Sequence, residues 1–295
     1  MPHDVADRRA AALLAWFERE RRDLPWRRTR DPWEVLVSEL MLQQTQVARV
    51  LPRYAAFLER WPTPAACAAA SVGEVVTAWE GLGYNRRAVN LHRCASRVVE
   101  EHGGRLPEDL ADLLALPGIG PYTARAVLAF AHEADHVGVL DVNAARVHAR
   151  WAGRPLRPKE AQTAADGAVP PGEGWAWNQA ILDLGATICT SRSPSCDRCP
   201  VGQGCAWSSA GRPEPDPAVG SAGTGGRQST FAGSDRQGRG RLVDALRAGP
   251  VEPGALAGAM GWPDDAERAE RVAATLVADG LAEVDPVTGA HRLPR

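Results

Sequence analysis

The sequence predicts an all-α protein, and three observations support this. Over the first 210 residues, apolar side chains recur at intervals of three and four, which is the period of helices with one buried face. Glycine and proline interrupt the pattern repeatedly and divide it into separate helices. The chain of 295 residues is 44% hydrophobic, which is ample for one large core or several small ones.

Ten helices are predicted in this part of the chain. The apolar residues Leu13, Leu14, Trp16 and Phe17 mark the buried face of the first one. The ten predicted helices cover residues 7 to 22, 32 to 45, 47 to 60, 72 to 79, 86 to 102, 108 to 115, 121 to 133, 142 to 151, 158 to 167 and 175 to 188.

The remainder of the chain predicts a linker and a small module. Residues 211 to 234 are rich in Pro, Gly and Ser and have almost no large apolar side chains, which is typical of a flexible linker. Helical patterns follow at residues 236 to 248, 252 to 260 and 264 to 279, and then two alternating runs surround a Pro/Gly turn. This order predicts a winged-helix-like module at residues 235 to 295.

Charge and targeting signals narrow the function class. The formal net charge is −2, so any nucleic-acid surface must be local. Residues 251 to 295 hold four basic and eight acidic side chains, which argues against a strong autonomous DNA reader and makes a protein contact about as plausible. No apolar run approaches the roughly 20 residues that span a bilayer, and the charged N-terminus does not resemble a secretory signal. We expect a cytoplasmic protein without membrane contact.

Four of the six cysteines occupy one short stretch. They are separated by six, two and five residues, at Cys189, Cys196, Cys199 and Cys205. Four thiolates in one loop favour a cubane iron-sulfur cluster. Structural zinc is the competing interpretation, although such sites more often use two C-x2-C pairs. Disulfides are disfavoured because nothing indicates secretion.

A turn with Gly118 and Gly120 joins two of the predicted helices. Glycine permits tight turns and close approach to a phosphate, and Pro121 suits the first position of a helix. Free amides at the helix start favour an anion. The segment therefore predicts a phosphate-binding helix-hairpin-helix, with an ordinary Gly-terminated helix turn as the alternative.

Two carboxylates are candidates for chemistry. Asp141 ends a short apolar run directly before a helix, where it is expected to be an N-cap. A capping carboxylate stays ionised and can also face a developing cation. Glu39 lies in an apolar helical pattern, so it is either a solvated side chain or a buried acid that would hold its proton more readily.

Segments that mix arginine, glycine and aromatic residues lie at residues 23 to 28 and 79 to 87. Such mixtures can contact phosphates and stack on bases, although a surface loop over a core tryptophan is the simpler interpretation. The first segment contains Trp26 and Arg27, and the second contains Tyr84.

Six segments in this order together resemble the adenine DNA glycosylases (MutY type) of the helix-hairpin-helix, Gly-Pro-Asp superfamily. They are LPWR, SELMLQQTQV, GLGY, ALPGIGPYTARA, VLDVNAARV and the C-x6-C-x2-C-x5-C loop, within about residues 8 to 208. The resemblance implies a six-helix lobe at about residues 24 to 138 and a lobe at 1 to 23 and 139 to 210 with a [4Fe-4S] cluster. It also implies a monomer, associated with the nucleoid, that flips a mismatched adenine out of double-stranded DNA.

The resemblance also assigns roles to residues. Glu39 would protonate adenine N7 and Asp141 would stabilise the oxocarbenium ion, with Tyr122 and Asn143 beside them. Gln179 would read the adenine edge, since an amide pairs with N6 and N7. DNA contacts are implied for Trp26, Arg27, Leu42, Gln43, Gln44, Tyr84, Gly118 and Gly120, and cluster ligation for Cys189, Cys196, Cys199 and Cys205. The implied reaction is hydrolysis of the adenine N-glycosidic bond opposite 8-oxoguanine or guanine.

Tyr122 distinguishes this chain from the endonuclease III-like lyases, which have a lysine there to form a Schiff base. Lys159 is the only lysine in the sequence and lies more than thirty residues away. The sequence therefore predicts a monofunctional glycosylase.

The chain also departs from the family pattern. Asn85 replaces the second aromatic of Gly-Leu-Gly-Tyr-Tyr, and an amide cannot intercalate as a ring does, so the wedge would fall to Gln44 or be partly missing. The tail is too short and too helical for the domain that reads 8-oxoguanine in many relatives. Two alternatives stay open at this point: a thymine or uracil mismatch glycosylase and a non-catalytic DNA sensor.

Overall fold

The computed structural model describes residues 2–222 and 230–295, with side chains from residue 8 onward. Residues 223 to 229 of the predicted linker lie outside the described residues. The helices are α1 (Pro2–Glu20), α2 (Pro32–Leu42), α3 (Val47–Arg60), α4 (Pro64–Ala68), α5 (Val72–Ala78), α6 (Arg86–His102), α7 (Leu110–Ala115), α8 (Pro121–Ala131), α9 (Val142–Ala152), α10 (Pro158–Asp166), α11 (Gly174–Thr187), α12 (Ala206–Ser209), α13 (Asp235–Ala248), α14 (Leu256–Met260) and α15 (Ala266–Ala278). The strands β1 (Glu283–Val284) and β2 (His291–Arg292) pair antiparallel.

The ten helices predicted in the first 210 residues are confirmed as α1 to α3 and α5 to α11. The sequence pattern missed α4, because five residues are too few to show a helical period. Local chemistry specifies it instead, since the Thr63 side chain accepts a hydrogen bond from the Ala66 amide at 3.1 Å and Pro64 occupies the first position. Among the described residues, no helix is long and apolar enough to cross a bilayer.

The first compact unit comprises Met1–Val35, Glu108–Leu110 and Gly120–Arg227. Its core is apolar and is built from α1, α9 and α11, with Leu13, Phe17, Val147, Trp177 and Leu184 buried. The part of the predicted linker up to residue 222 packs on this unit, because the Ala222 amide donates to the Leu156 carbonyl at 3.0 Å and Asp216 pairs with buried Arg150. Composition alone does not reveal these contacts.

The second unit comprises Leu36–Pro107, Ala111–Ile119 and Gln228–Arg295. Phe57 and Trp79 are buried in it with ring centroids 6.3 Å apart. The predicted order of three helices and a hairpin after the linker is observed as α13 to α15 with β1 and β2. The lobe boundaries expected from the sequence, and the independence of residues 235 to 295 as a domain, stay predictions.

Candidate functional site

Asp141 is the N-cap of α9, in the first unit. Its Oδ1 accepts hydrogen bonds from the backbone amides of Asn143 at 2.9 Å and Ala144 at 2.7 Å, and its Oδ2 accepts one from Asn143 Nδ2 at 2.8 Å. These donors fix the carboxylate at the positive end of the helix, where negative charge is favoured. The structure therefore brings together two of the predicted catalytic residues, Asp141 and Asn143.

Arg146 connects this cap to the cysteine loop, although no sequence motif identified it as a site residue. One nitrogen, Nη2, donates to Asn143 Oδ1 at 2.9 Å and to the Gly185 carbonyl at 2.7 Å, while Nε donates to the Cys189 carbonyl at 2.8 Å. The contacts orient Asn143 so that its Nδ2 faces Asp141. A signal was present in the spacing, because Arg146 follows Asn143 by one helical turn.

The four cysteines of the loop line one small cavity together with Arg150 and apolar side chains. None of the four forms a disulfide. Arg150 is 1% exposed, and its Nη1 donates to Cys189 Sγ at 3.3 Å while Nη2 pairs with Asp216 at 2.6 Å. The predicted ligand set is therefore gathered at one place with a buried cation beside it.

Burial makes the thiols of this cavity harder to ionise. Burial, followed by the negative charge of the other three cysteines, raises the pKa of the Cys199 thiol to about 11, and burial also raises the pKa of Cys205. Thiolates must form before sulfur binds a metal, so positive charge has to be supplied to the site.

Four sulfur donors in an apolar setting fit an iron-sulfur cluster. Within residues 2–222 and 230–295, no group of three or more His, Cys, Asp or Glu side chains is spaced as around a single metal ion. The chemistry of the donor set, rather than a preformed coordination sphere, is what supports a cofactor here.

Tyr122 and Gln179 also lie in the first unit. Tyr122 is half-buried in the first turn of α8, and Gln179 is 5% exposed on α11. The neighbouring Asn178 bonds the backbone of Val137 and Val139, which lead to Asp141. This clamp fixes α11 against the segment that carries the cap.

Glu39 lies in the second unit, on α2. It is 5% exposed, so it is a buried carboxyl rather than a solvated one. Leu42 ends the same helix, and the turn after it presents Gln43 and Gln44, of which Gln44 is exposed with a φ of 55°. Glu39 and three of the predicted DNA-contacting residues, Leu42, Gln43 and Gln44, thus lie on one helix and its C-terminal turn.

Arg87 connects this turn to the turn that contains Tyr84, although no sequence motif identified it as a site residue. The guanidinium of Arg87 is buried and donates to the carbonyls of Leu40 at 2.5 Å, Leu82 at 3.1 Å and Gly83 at 2.9 Å. The carbonyls at the C-terminal end of α2 have no partner within the helix, so a cation there is favourable. Tyr84 itself is 45% exposed.

The two glycines of the hairpin turn differ in whether a side chain could replace their hydrogen. Gly118 has a φ of 77°, and a Cβ there would lie 2.5 Å from Asn90 Cβ. Gly120 is the N-cap of α8 with a φ of −97°, and a Cβ there would meet no atom within 4 Å. Gly118 is therefore required by the fold, whereas Gly120 leaves the start of α8 open to a ligand.

Trp26 and Arg27 are both buried in the first unit, at 6% and 8% exposure. The Arg27 guanidinium forms a bidentate pair with Asp183, at 2.7 and 2.8 Å. A phosphate contact by Arg27 would have to compete with this pair, and the predicted DNA contacts of both residues stay predictions.

Comparison with known proteins identifies the family. Residues 37 to 171 match the family described as HhH-GPD superfamily base excision DNA repair protein. The adenine DNA glycosylase of Mycobacterium tuberculosis (strain CDC 1551 / Oshkosh) is 42% identical over 304 residues, which cover 99% of this chain and 95% of that protein. The chain belongs to the adenine DNA glycosylase family. The likeness within this family includes the segment after the linker.

Solved structures confirm the all-α helix-hairpin-helix glycosylase fold. A thermostable thymine-DNA glycosylase superposes with a TM-score of 0.67 at 29% identity, over 71% of this chain and 99% of that one. A trapped endonuclease III–DNA covalent intermediate superposes with a TM-score of 0.62 at 21% identity, over 72% and 99% of the respective chains. The second likeness concerns the fold alone.

Proposed function

We propose that this protein is a monofunctional DNA glycosylase that removes adenine opposite 8-oxoguanine or guanine during base excision repair. The observation that carries the proposal is the likeness to an adenine DNA glycosylase over almost the whole of both chains. The identity of the opposite base, 8-oxoguanine or guanine, belongs to the proposal as well.

Glu39 and Asp141 are proposed as the two carboxyl groups of the reaction. Glu39 donates a proton to adenine N7, and the C1′–N9 bond breaks with its electron pair going to the base. Asp141 stabilises the cationic sugar, water adds to C1′, and a proton of that water restores Glu39. The products are adenine and an abasic sugar, and no electrons are transferred.

The remaining site residues support these steps. Asn143 and the start of α9 hold the Asp141 carboxyl group in place, and Gln179 is proposed to pair with the adenine edge. The four cysteines are proposed to hold a [4Fe-4S] cluster, which would brace the loop next to Arg146 and Arg150. DNA binding is proposed for a monomer, with the adenine flipped from the stack.

Base release from defined duplexes tests the function directly. We expect the protein to release adenine opposite 8-oxoguanine and opposite guanine, seen as strand breaks after alkali treatment. Release of only thymine or uracil opposite guanine would instead support a mismatch glycosylase of that type. No release from any duplex would leave a non-catalytic DNA sensor. Borohydride should trap no covalent complex through a lysine, because Tyr122 replaces the lysine of the lyases.

The hairpin glycines give a second test. Gly120→Ala should leave the free energy of unfolding unchanged and weaken DNA binding, because its methyl group occupies only the open approach to α8. Gly118→Ala should lower the free energy of unfolding by roughly 1–3 kcal/mol, since it strains a left-handed residue. Thermal melts and fluorescence anisotropy with labelled duplex measure the two effects. If Gly120→Ala bound DNA with wild-type affinity, the proposed DNA contact by the hairpin would be wrong.

A further inference from the structure

A groove of about 930 Å³ opens in the second unit beside α13. We call it the α13 groove. One wall carries Gln43, Gln44 and Tyr84, and the other carries Phe231, Arg236 and Arg239. The segment after the linker therefore forms half of a groove whose other half is the pair of turns fastened by Arg87.

The α13 groove is strongly basic in a chain whose net charge is −2. Six arginines and only two acidic residues, Asp244 and Asp279, line it. Three of these arginines, Arg236, Arg239 and Arg247, follow one face of α13 because their spacings match the helical period. Asp279 pairs with Arg239 at 2.5 Å and with Arg86 at 3.4 Å, and Asp244 pairs with Arg247. The two carboxylates offset two of the six positive charges and leave a net charge of +4 on the lining.

Exposed aromatic rings accompany the arginines on both walls. Tyr84 is 45% exposed and Phe231 is 57% exposed, and the Arg236 guanidinium lies 5.8 Å from the centre of the Phe231 ring. Arginines that track a backbone, with aromatic rings beside them, are typical of surfaces that bind nucleic acid.

Contacts within the second unit hold the two walls together. Arg247 Nη2 donates to the Val76 carbonyl at 3.0 Å and to Asn85 Oδ1 at 3.1 Å. The Gly73 amide donates to the Pro294 carbonyl at 2.9 Å, and a Cβ on Gly73 would lie 2.5 Å from that oxygen. The packing of α13 and of the C-terminal residues within this unit therefore sets the shape of the groove.

The face on which a winged-helix module would ordinarily present its recognition helix is unsuited to DNA here. The exposed acidic side chains around α15 are Asp264, Asp265, Glu267 and Glu270. The two arginines of α15, Arg268 and Arg271, both pair with Asp235. Carboxylates facing phosphates would repel them, so the charge distribution favours α13 over α15.

We propose that the α13 groove binds the sugar-phosphate backbone of the substrate DNA. Arg236 contacts a phosphate from α13, Arg49 contacts one from the opposite wall, and Phe231 provides an aromatic surface for stacking. This inference rests on the proposed function, because it places a further contact surface on the same DNA substrate.

The salt dependence of DNA affinity tests this proposal. The probe is a labelled duplex with a non-hydrolysable abasic-site analogue, titrated with the full-length protein between 50 and 200 mM salt. Arg236→Gln should weaken binding and lower the slope of log K against log salt by about one. Arg241→Gln is the matched control, since Arg241 lies on the same helix, bonds the Met260 carbonyl and does not line the groove.

Further readouts separate the possible outcomes. Arg49→Gln should lower the slope as Arg236→Gln does, and Phe231→Ala should weaken binding without changing the slope. Single-turnover base release should keep its wild-type rate in Arg241→Gln, whereas failure of the proposed function would appear as no release by the wild type. A wild-type slope in both arginine variants overturns the proposal and points to a protein partner. An equal fall in Arg241→Gln overturns it as well.

Discussion

Glu39→Gln is expected to reduce the rate of adenine release by roughly 10²–10⁴-fold. This is the usual contribution of a positioned general acid, and an amide cannot donate the proton that N7 requires. Glutamine has nearly the same shape as glutamate, and residue 39 is 5% exposed, so the packing of α2 should be retained. Single-turnover kinetics on a duplex with adenine opposite 8-oxoguanine measure the effect, with DNA affinity and melting temperature recorded alongside.

The matched control is Glu34→Gln on the same helix. Glu34 lies in the first turn of α2 and is more exposed than Glu39, so its replacement removes a charge without touching the proposed acid. We expect wild-type rates from this variant. Full activity in Glu39→Gln would contradict the proposed role of Glu39 as the acid that protonates adenine N7.

Helix positions were readable from the sequence because their cause is local. Helical periodicity, helix-breaking residues and capping residues all lie within the segment that they specify. The predicted N-cap role of Asp141 is confirmed, and Asp141 also accepts a hydrogen bond from Asn143. The four-cysteine spacing likewise predicted metal ligands wrapped by one loop, and the four side chains line one cavity. What these features have in common is that their partners are close in sequence or belong to one motif.

Buried arginines were not predictable in the same way. A charged side chain is expected at the surface, yet Arg87, Arg146 and Arg150 are all buried. Their partners lie far along the chain, such as the Leu40 carbonyl for Arg87 and Cys189 for both Arg146 and Arg150. The near absence of lysine was the available hint, because the five donors of a guanidinium can serve more carbonyls at fixed positions than the three of an ammonium.

Asn85 departs from the family motif, and its contact partner can be identified only in the folded structure. The sequence suggested a loss, since an amide cannot wedge into DNA as an aromatic ring does. In the structure its Oδ1 accepts a hydrogen bond from Arg247 of α13. The position that would carry an aromatic ring thus contacts the C-terminal segment, and the pairing could not be seen without knowing that α13 packs there.

Asp183→Ala is expected to lower the free energy of unfolding by about 3–5 kcal/mol. Asp183 is 1% exposed and holds the buried Arg27 guanidinium in a bidentate pair, so its removal leaves an unpaired charge in the core of the first unit. Arg22 also bonds Asp183 but is partly exposed and adds little. Denaturant titration of the purified variant measures the change. The control is Asp23→Ala, because the Asp23–Arg28 pair is exposed on both sides and should matter little.

The same pair predicts how stability depends on pH. Burial alone would raise the pKa of Asp183, but the hydrogen bonds and charges of Arg27 and Arg22 outweigh it and hold the pKa below its ordinary value. A carboxyl whose pKa is lowered by folding stabilises the protein above its unfolded pKa of about 3.9, and this stabilisation is lost as pH falls through the lower folded value. The difference in free energy of unfolding between wild type and Asp183→Ala should therefore be constant near neutral pH and shrink below about pH 4. A difference that stayed constant into acid would show that Asp183 does not stabilise the fold through its charge.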